Sequence, residues 1–338
     1  MKKLCLKFRK QENEMLVDNS FIQNLSLLGS RGTFGLALKD IEPRREDLRV
    51  VVADVKTSAK LVDFEKQAPS KLINVGIAEQ NMIGIAAGLA HEGYTVFTST
   101  FAPFASMRCF EMLRTQLGYM NLNVKIAGLL SGVTGGLFGN THYGLEDIAI
   151  LRTIPNMTVL SPADCLETYK AVLAASEIKG PVYIRLTGDR GTPALYKEDF
   201  EYEIGKANIL AQGNDVAIIG TGTILSEAMR ALRGLKKYDI SATVVDMHTI
   251  KPLDTTTLDQ LFATHKLIVT LEEHTVVGGL GSAVAEYKAT KINVPPQMIL
   301  GIQDSFPKAA STAFILNQNG LSAPRIAERI VQKYQELF

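Results

Sequence analysis

Short runs of β-branched and aliphatic residues alternate with helix-patterned stretches along almost the whole chain. LRVVVADV precedes AEQNMIGIAAGLAHE, TVFTST precedes a Met-rich amphipathic stretch, NVKIAGLL stands next, MTVLSP precedes ADCLETYKAVLAASE, and PVYIRL closes the series. Apolar runs separated by helix-length segments fold as a parallel sheet with helices on both faces. A second series follows in DVAIIGTG, SEAMRALRGLKKY, ATVVDMHTI, KLIVTLEEH and GLGSAVAEYKATK. Between the two lies TGDRGTPALYKEDFEYEIG, polar and rich in turn residues, which reads as a linker. The expected fold is α/β with two domains, each a mostly parallel sheet flanked by helices. They are placed at 21–190 and 207–338, joined by 191–206 and preceded by an extension, 1–20, of mixed charge without periodicity.

With 338 residues, 46% of them hydrophobic, the chain is long enough for two such cores. Its 36 Lys and Arg balance 35 Asp and Glu, with no basic run, which argues against nucleic acid as a partner. No apolar run approaches the roughly 18 to 20 residues that a membrane span needs. MKKLCLKFRKQENEM carries charges where an apolar signal core would follow, so a cytoplasmic protein is expected. Cys5, Cys109 and Cys165 are far apart and form no CxxC, which suggests neither a disulfide framework nor a metal site.

The segment NVGIAEQNMIGIAAGLAHE delivers Glu79 from a strand end and a glycine turn into the start of an apolar helix. Two readings are open from the residues alone. Burial among Ala78, Met82, Ile83 and Ala86 would favour a neutral carboxyl suited to proton transfer, whereas an exposed Glu79 would simply complement the helix dipole. Phe101 and Phe104, in STFAPF, share one side of the turn after the strand TVFTST, a spacing common both in cores and in platforms for flat ligands.

Taken together, GIAEQNMIGIAAGLA, TSTFAPF, THYGLEDIAILRTIPNMTVLSPAD and EEHTVVGGLGSAVAE resemble the thiamine diphosphate-dependent transketolase family. The resemblance covers the family's pyrimidine-binding and C-terminal domains, roughly residues 20 to 338. It implies that Glu79 hydrogen-bonds the aminopyrimidine ring of thiamine diphosphate and shares a proton with it, so that the ring can activate the thiazolium carbon. Phe101 and Phe104 would pack on the pyrimidine, with Met107 where a third aromatic is usual. ADVKTS resembles ADLxxS, which would put Asp54 at the cofactor pocket and Ser58 near a sugar phosphate. Arg31, in GSRG, resembles the family's phosphate-binding arginine. His142, in NTHYG, matches a histidine that binds donor hydroxyls and takes part in catalysis. Arg185 or Arg190 could serve a phosphate, the local spacing leaving the choice open.

A full-length member has a further domain that binds the diphosphate through Mg²⁺ with a Gly-Asp-Gly segment. This sequence has none. The implied enzyme is split: a separate N-terminal subunit holds most of the Mg²⁺ ligands, this chain supplies the other half, and copies of the chain form a homodimer. Ketol transfer between sugar phosphates, or related ketoses, would follow only in the assembled enzyme. Phe138 and Leu130 replace an acid and a histidine that contact substrate in the family, so pentose phosphates do not follow directly. Two alternatives share the layout: a 2-oxoacid dehydrogenase beta-type subunit and a non-catalytic scaffold paralogue.

Overall fold

The computed structural model describes residues 17–338. Cys5 and most of the expected N-terminal extension lie outside the described residues. Twelve strands are found among them: β1 (Leu48–Val52), β2 (Leu72–Asn74), β3 (Thr95–Phe101), β4 (Val124–Leu129), β5 (Thr158–Leu160), β6 (Val182–Leu186), β7 (Asn208–Ala211), β8 (Val216–Thr221), β9 (Ala242–Asp246), β10 (Thr249–Lys251), β11 (Leu267–Thr275) and β12 (Gln297–Ile302).

They form two sheets, ordered β10-β5-β6-β4-β3-β1-β2 and β12-β11-β8-β9-β7. All pairs are parallel except β10 with β5 and β7 with β9, at the sheet edges. The α/β expectation holds. Burial on both faces explains the unbroken apolar runs: Val50 and Val52 of β1 join the core under the helices Asn19–Ile41 and Cys165–Glu177, while Val51 joins the opposite core with Met82, Ile83 and Ala86. The second sheet divides likewise, with Ile218 and Val244 on one face and Ile219 and Val245 on the other.

The segment DMHTIKPLD crosses between the units. Its strand β10 adds to the first sheet, pairing Thr249 with Leu160 and Lys251 with Val159, and the Lys251 ammonium donates to the carbonyls of Arg152 and Ile154. A second bond between the units is fully buried. The Arg185 Nε donates to both Asp147 oxygens at 3.0 and 3.1 Å, and its Nη2 donates to the Gly144 carbonyl and to that of Glu273 in β11. Glu273 in turn accepts from the Val133 N–H at 2.6 Å.

The helix Asn19–Ile41, capped by Asp18, breaks at Gly29, whose φ is +73°. A Cβ there would lie 2.7 to 2.9 Å from the Asp189–Arg190 backbone, so only glycine lets the chain after β6 approach. Among the described residues no helix is long and apolar enough to cross a membrane.

Candidate active site

Parallel pairing puts the carboxyl ends of β1, β2, β3, β4 and β6 on one edge of the first sheet, where open α/β sheets bind ligands. That edge carries Asp54 and Ser58 after β1, Glu79 after β2, Phe101 and Phe104 at and after β3, the loop to His142 after β4, and Asp189 and Arg190 after β6.

Glu79 opens the helix Glu79–His91 and is 5% exposed. Its environment is not wholly apolar. The exposed Arg108 donates through Nη1 to Glu79 Oε1 at 2.7 Å, and the same guanidinium carbon lies 4.1 Å from the centre of the Phe104 ring. A carboxylate that leaves water needs such a partner, and the sequence reading missed it. Arg108 ends the wide π-type turn Phe104–Arg108, which sets its side chain back over Phe104. An arginine four residues after an aromatic in a helical stretch was the available signal.

Phe101 and Phe104 meet edge to face at 6.0 Å between centroids, and both rings contact His142, at 5.3 and 5.4 Å. Phe138 closes the other side of the imidazole at 5.3 Å while remaining 60% exposed itself. The Thr141 hydroxyl lies 2.9 Å from His142 Nδ1. Met107 faces solvent beside Arg108. Leu130 is buried and holds a left-handed φ of +52°, a conformation costly for a branched residue and found where neighbouring contacts enforce it.

Two of the residues assigned separately to phosphate are neighbours. The Arg31 Nη1 donates to the Ser58 carbonyl at 3.2 Å, and Nη2 pairs with Asp189 Oδ1 at 3.1 Å. Asp189, absent from the sequence reading, is held below the usual carboxylate range: burial works against this, and its hydrogen bonds with the Arg190 backbone and Arg31 and the charge of Lys60 outweigh it. The exposed Arg190 follows directly. Arg185 requires a correction. It is fully buried and committed to Asp147, Gly144 and Glu273, so it has no path to a substrate, whereas Arg190 is exposed. Asp54, also exposed, has a φ of +58° and donates its N–H to Asn74 Oδ1 at 3.0 Å.

Cys109 and Cys165 are buried free thiols, each pushed up to about 12 by burial and then by a neighbouring carboxylate. Neither is placed for nucleophilic chemistry. His274 and His248 are buried, the first lowered to about 4 and the second to about 3, mainly by burial. Among the described residues no group of three or more His, Cys, Asp or Glu could hold a metal ion.

Helices on both faces of a parallel sheet, with a carboxylate, two phenylalanines and a histidine at its carboxyl edge, define a class of chain that comparison with known families identifies. The family model described as the transketolase pyrimidine binding domain matches residues 28–190, and that of the transketolase C-terminal domain matches 205–326. The chain belongs to the transketolase family, whose members are thiamine diphosphate-dependent transferases, and it corresponds to the C-terminal section.

Relatives include the 6-deoxy-6-sulfo-D-fructose transketolase subunit SqwH of Clostridium sp. (strain MSTE9), 38% identical over 85% of this chain and 89% of that protein. An apulose-4-phosphate transketolase subunit of Phocaeicola vulgatus is 38% identical over 82% of this chain and 89% of its own. A solved structure described as "Split gene transketolase, inactive beta4 tetramer" superposes with a TM-score of 0.82 at 38% identity, covering 92% of this chain and 99% of that one.

Proposed function

We propose that the chain is the C-terminal subunit of a split transketolase, transferring a two-carbon ketol unit between sugar phosphates or related ketoses, with a partner subunit supplying the diphosphate and Mg²⁺ site. The observation that carries this reading is the seat formed by Glu79 and Phe104. It already accepts a planar N–H donor that hydrogen-bonds the carboxylate while lying on the ring face. An aminopyrimidine is also planar, and its ring nitrogen becomes an N–H donor to the carboxylate once it carries the shared proton, so the residues fit that half of the cofactor.

Thiamine diphosphate, when bound, supplies an electron sink for breaking the bond beside a ketone. Glu79 would hold a proton at the pyrimidine nitrogen, and its burial excludes water from that exchange. Phe101 and Phe104 would fix the ring plane, with Met107 beside them and Asp54 lining the pocket. His142, walled by three phenylalanines, would meet a donor hydroxyl and steady the developing charge. Arg31, Ser58 and Arg190 would bind the anionic end of the sugar. A scaffold would have no use for a buried carboxylate at an open edge, which favours the catalytic reading over the scaffold paralogue.

Self-association into a homodimer is part of the proposal, and the related chain described as an inactive β4 tetramer supports both self-association and dependence on a partner. The test is reconstitution. The chain alone should show no ketol transfer and only weak cofactor binding by calorimetry, and addition of a subunit bearing the diphosphate domain, with Mg²⁺, should bring both. Ketol transfer by the isolated chain would defeat the proposal.

A further inference from the structure

Arg108 occupies the two surfaces assigned above to the cofactor. Its Nη1 donates to Glu79 Oε1 at 2.7 Å, and its guanidinium carbon sits 4.1 Å over the Phe104 ring. Its main chain is anchored, because the Gln80 amide donates to the Arg108 carbonyl at 3.1 Å, while its side chain remains 46% exposed. The arginine can therefore leave the pocket by side-chain rotation alone. Glu79 cannot follow it, since its own side chain is only 6% exposed. Withdrawal of Arg108 without a replacement would strand a buried carboxylate. Withdrawal is thus coupled to the arrival of another planar N–H donor.

We propose that Arg108 is a placeholder for the aminopyrimidine ring: it neutralises Glu79 and covers Phe104 in the free chain, and the cofactor must displace it from both. This rests on the reading of Glu79 and Phe104 given above. A placeholder stabilises only the empty site, so it weakens cofactor binding by the strength of the contact it surrenders. Its loss should therefore tighten binding, whereas loss of a cofactor ligand would weaken it.

The experiment compares the full chain with its Arg108→Met variant, which keeps the apolar stem and removes the guanidinium. The first probe is 4-amino-2-methylpyrimidine, titrated by ligand-observed NMR. The variant should bind it about tenfold more tightly than the wild type. Glu79→Gln in the variant background should abolish that gain. The second readout is thermal stability with and without thiamine diphosphate and Mg²⁺ in the assembled enzyme. Arg108→Met should lower the melting temperature of the cofactor-free protein and leave that of the loaded protein nearly unchanged. Equal or weaker probe binding by Arg108→Met, or an equal loss of stability in both states, overturns the placeholder. A gain that survives Glu79→Gln overturns instead the assignment of Glu79 to the aminopyrimidine.

Discussion

Arg31 is claimed by Asp189 before any ligand reaches it: the Nη2 to Oδ1 distance is 3.1 Å, and the loop carrying Asp189 is tied down on both sides. The Ser30 hydroxyl donates to the Gly188 carbonyl, and the Gly191 N–H donates to the Ser26 carbonyl. A phosphate at Arg31 meets a tethered carboxylate as competitor. Asp189→Asn should lower the KM for a phosphorylated acceptor by about twofold to fivefold with little change in kcat, as expected for a partly exposed pair. Arg31→Ala should raise it. Steady-state kinetics on phosphorylated and unphosphorylated acceptors check this, and equal changes for the two would refute an anion site.

Asp147 pairs with Arg185 at zero exposure, and Arg185 in turn donates to the Glu273 carbonyl of the second unit. Asp147→Ala leaves the Arg185 charge buried, so unfolding by urea should show a loss of about 3 to 5 kcal/mol. A loss below about 1 kcal/mol would mean that water or another carboxylate reaches the guanidinium.

Glu167, in the helix Cys165–Glu177, and Asp246, at the end of β9, form a further contact between the units. Both are fully buried and face Asp164, Tyr196 and Tyr202, with no cation among these groups. Burial first, and then the charge of Asp246, pushes Glu167 well above the usual range. Burial raises Asp246 to about 7. The folded state therefore binds more protons than the unfolded one, so the pair's contribution is complete below about pH 4 and is lost as pH rises through about 7. Glu167→Gln, whose amide can donate to Asp246, should gain stability relative to the wild type on going from pH 5 to pH 8.5. Thermal melts across that range read the difference, and a constant offset would show that the two carboxyls do not share a proton.

The parallel sheets were legible because strands buried on both faces must be written as continuous β-branched runs. Strand β10 was not, since Thr249–Lys251 is only three residues long and pairs outside the unit it belongs to. Glu79, Phe101, Phe104 and His142 could be singled out because motif order sets them after β2, β3 and β4, on the same carboxyl edge of the sheet. Arg185 could not be judged from sequence: an arginine near a strand end looks the same whether its side of the strand meets solvent or Asp147. Asp189 was given no role for a related reason, as a charged residue beside a turn usually only meets water, while the spacing of Arg108 after Phe104 hinted at the ring but not at Glu79; it is the fold that brings each one onto its partner.

The central claim is that Glu79 exchanges a proton with the cofactor's aminopyrimidine, and it is tested most directly by the turnover of Glu79→Gln in the assembled enzyme at saturating thiamine diphosphate and Mg²⁺. An amide keeps the shape and a hydrogen bond but cannot exchange that proton, so the rate should fall by about 10² to 10⁴-fold with the fold intact by circular dichroism. A variant that keeps more than about a tenth of the wild-type rate, well above that range, would contradict the account.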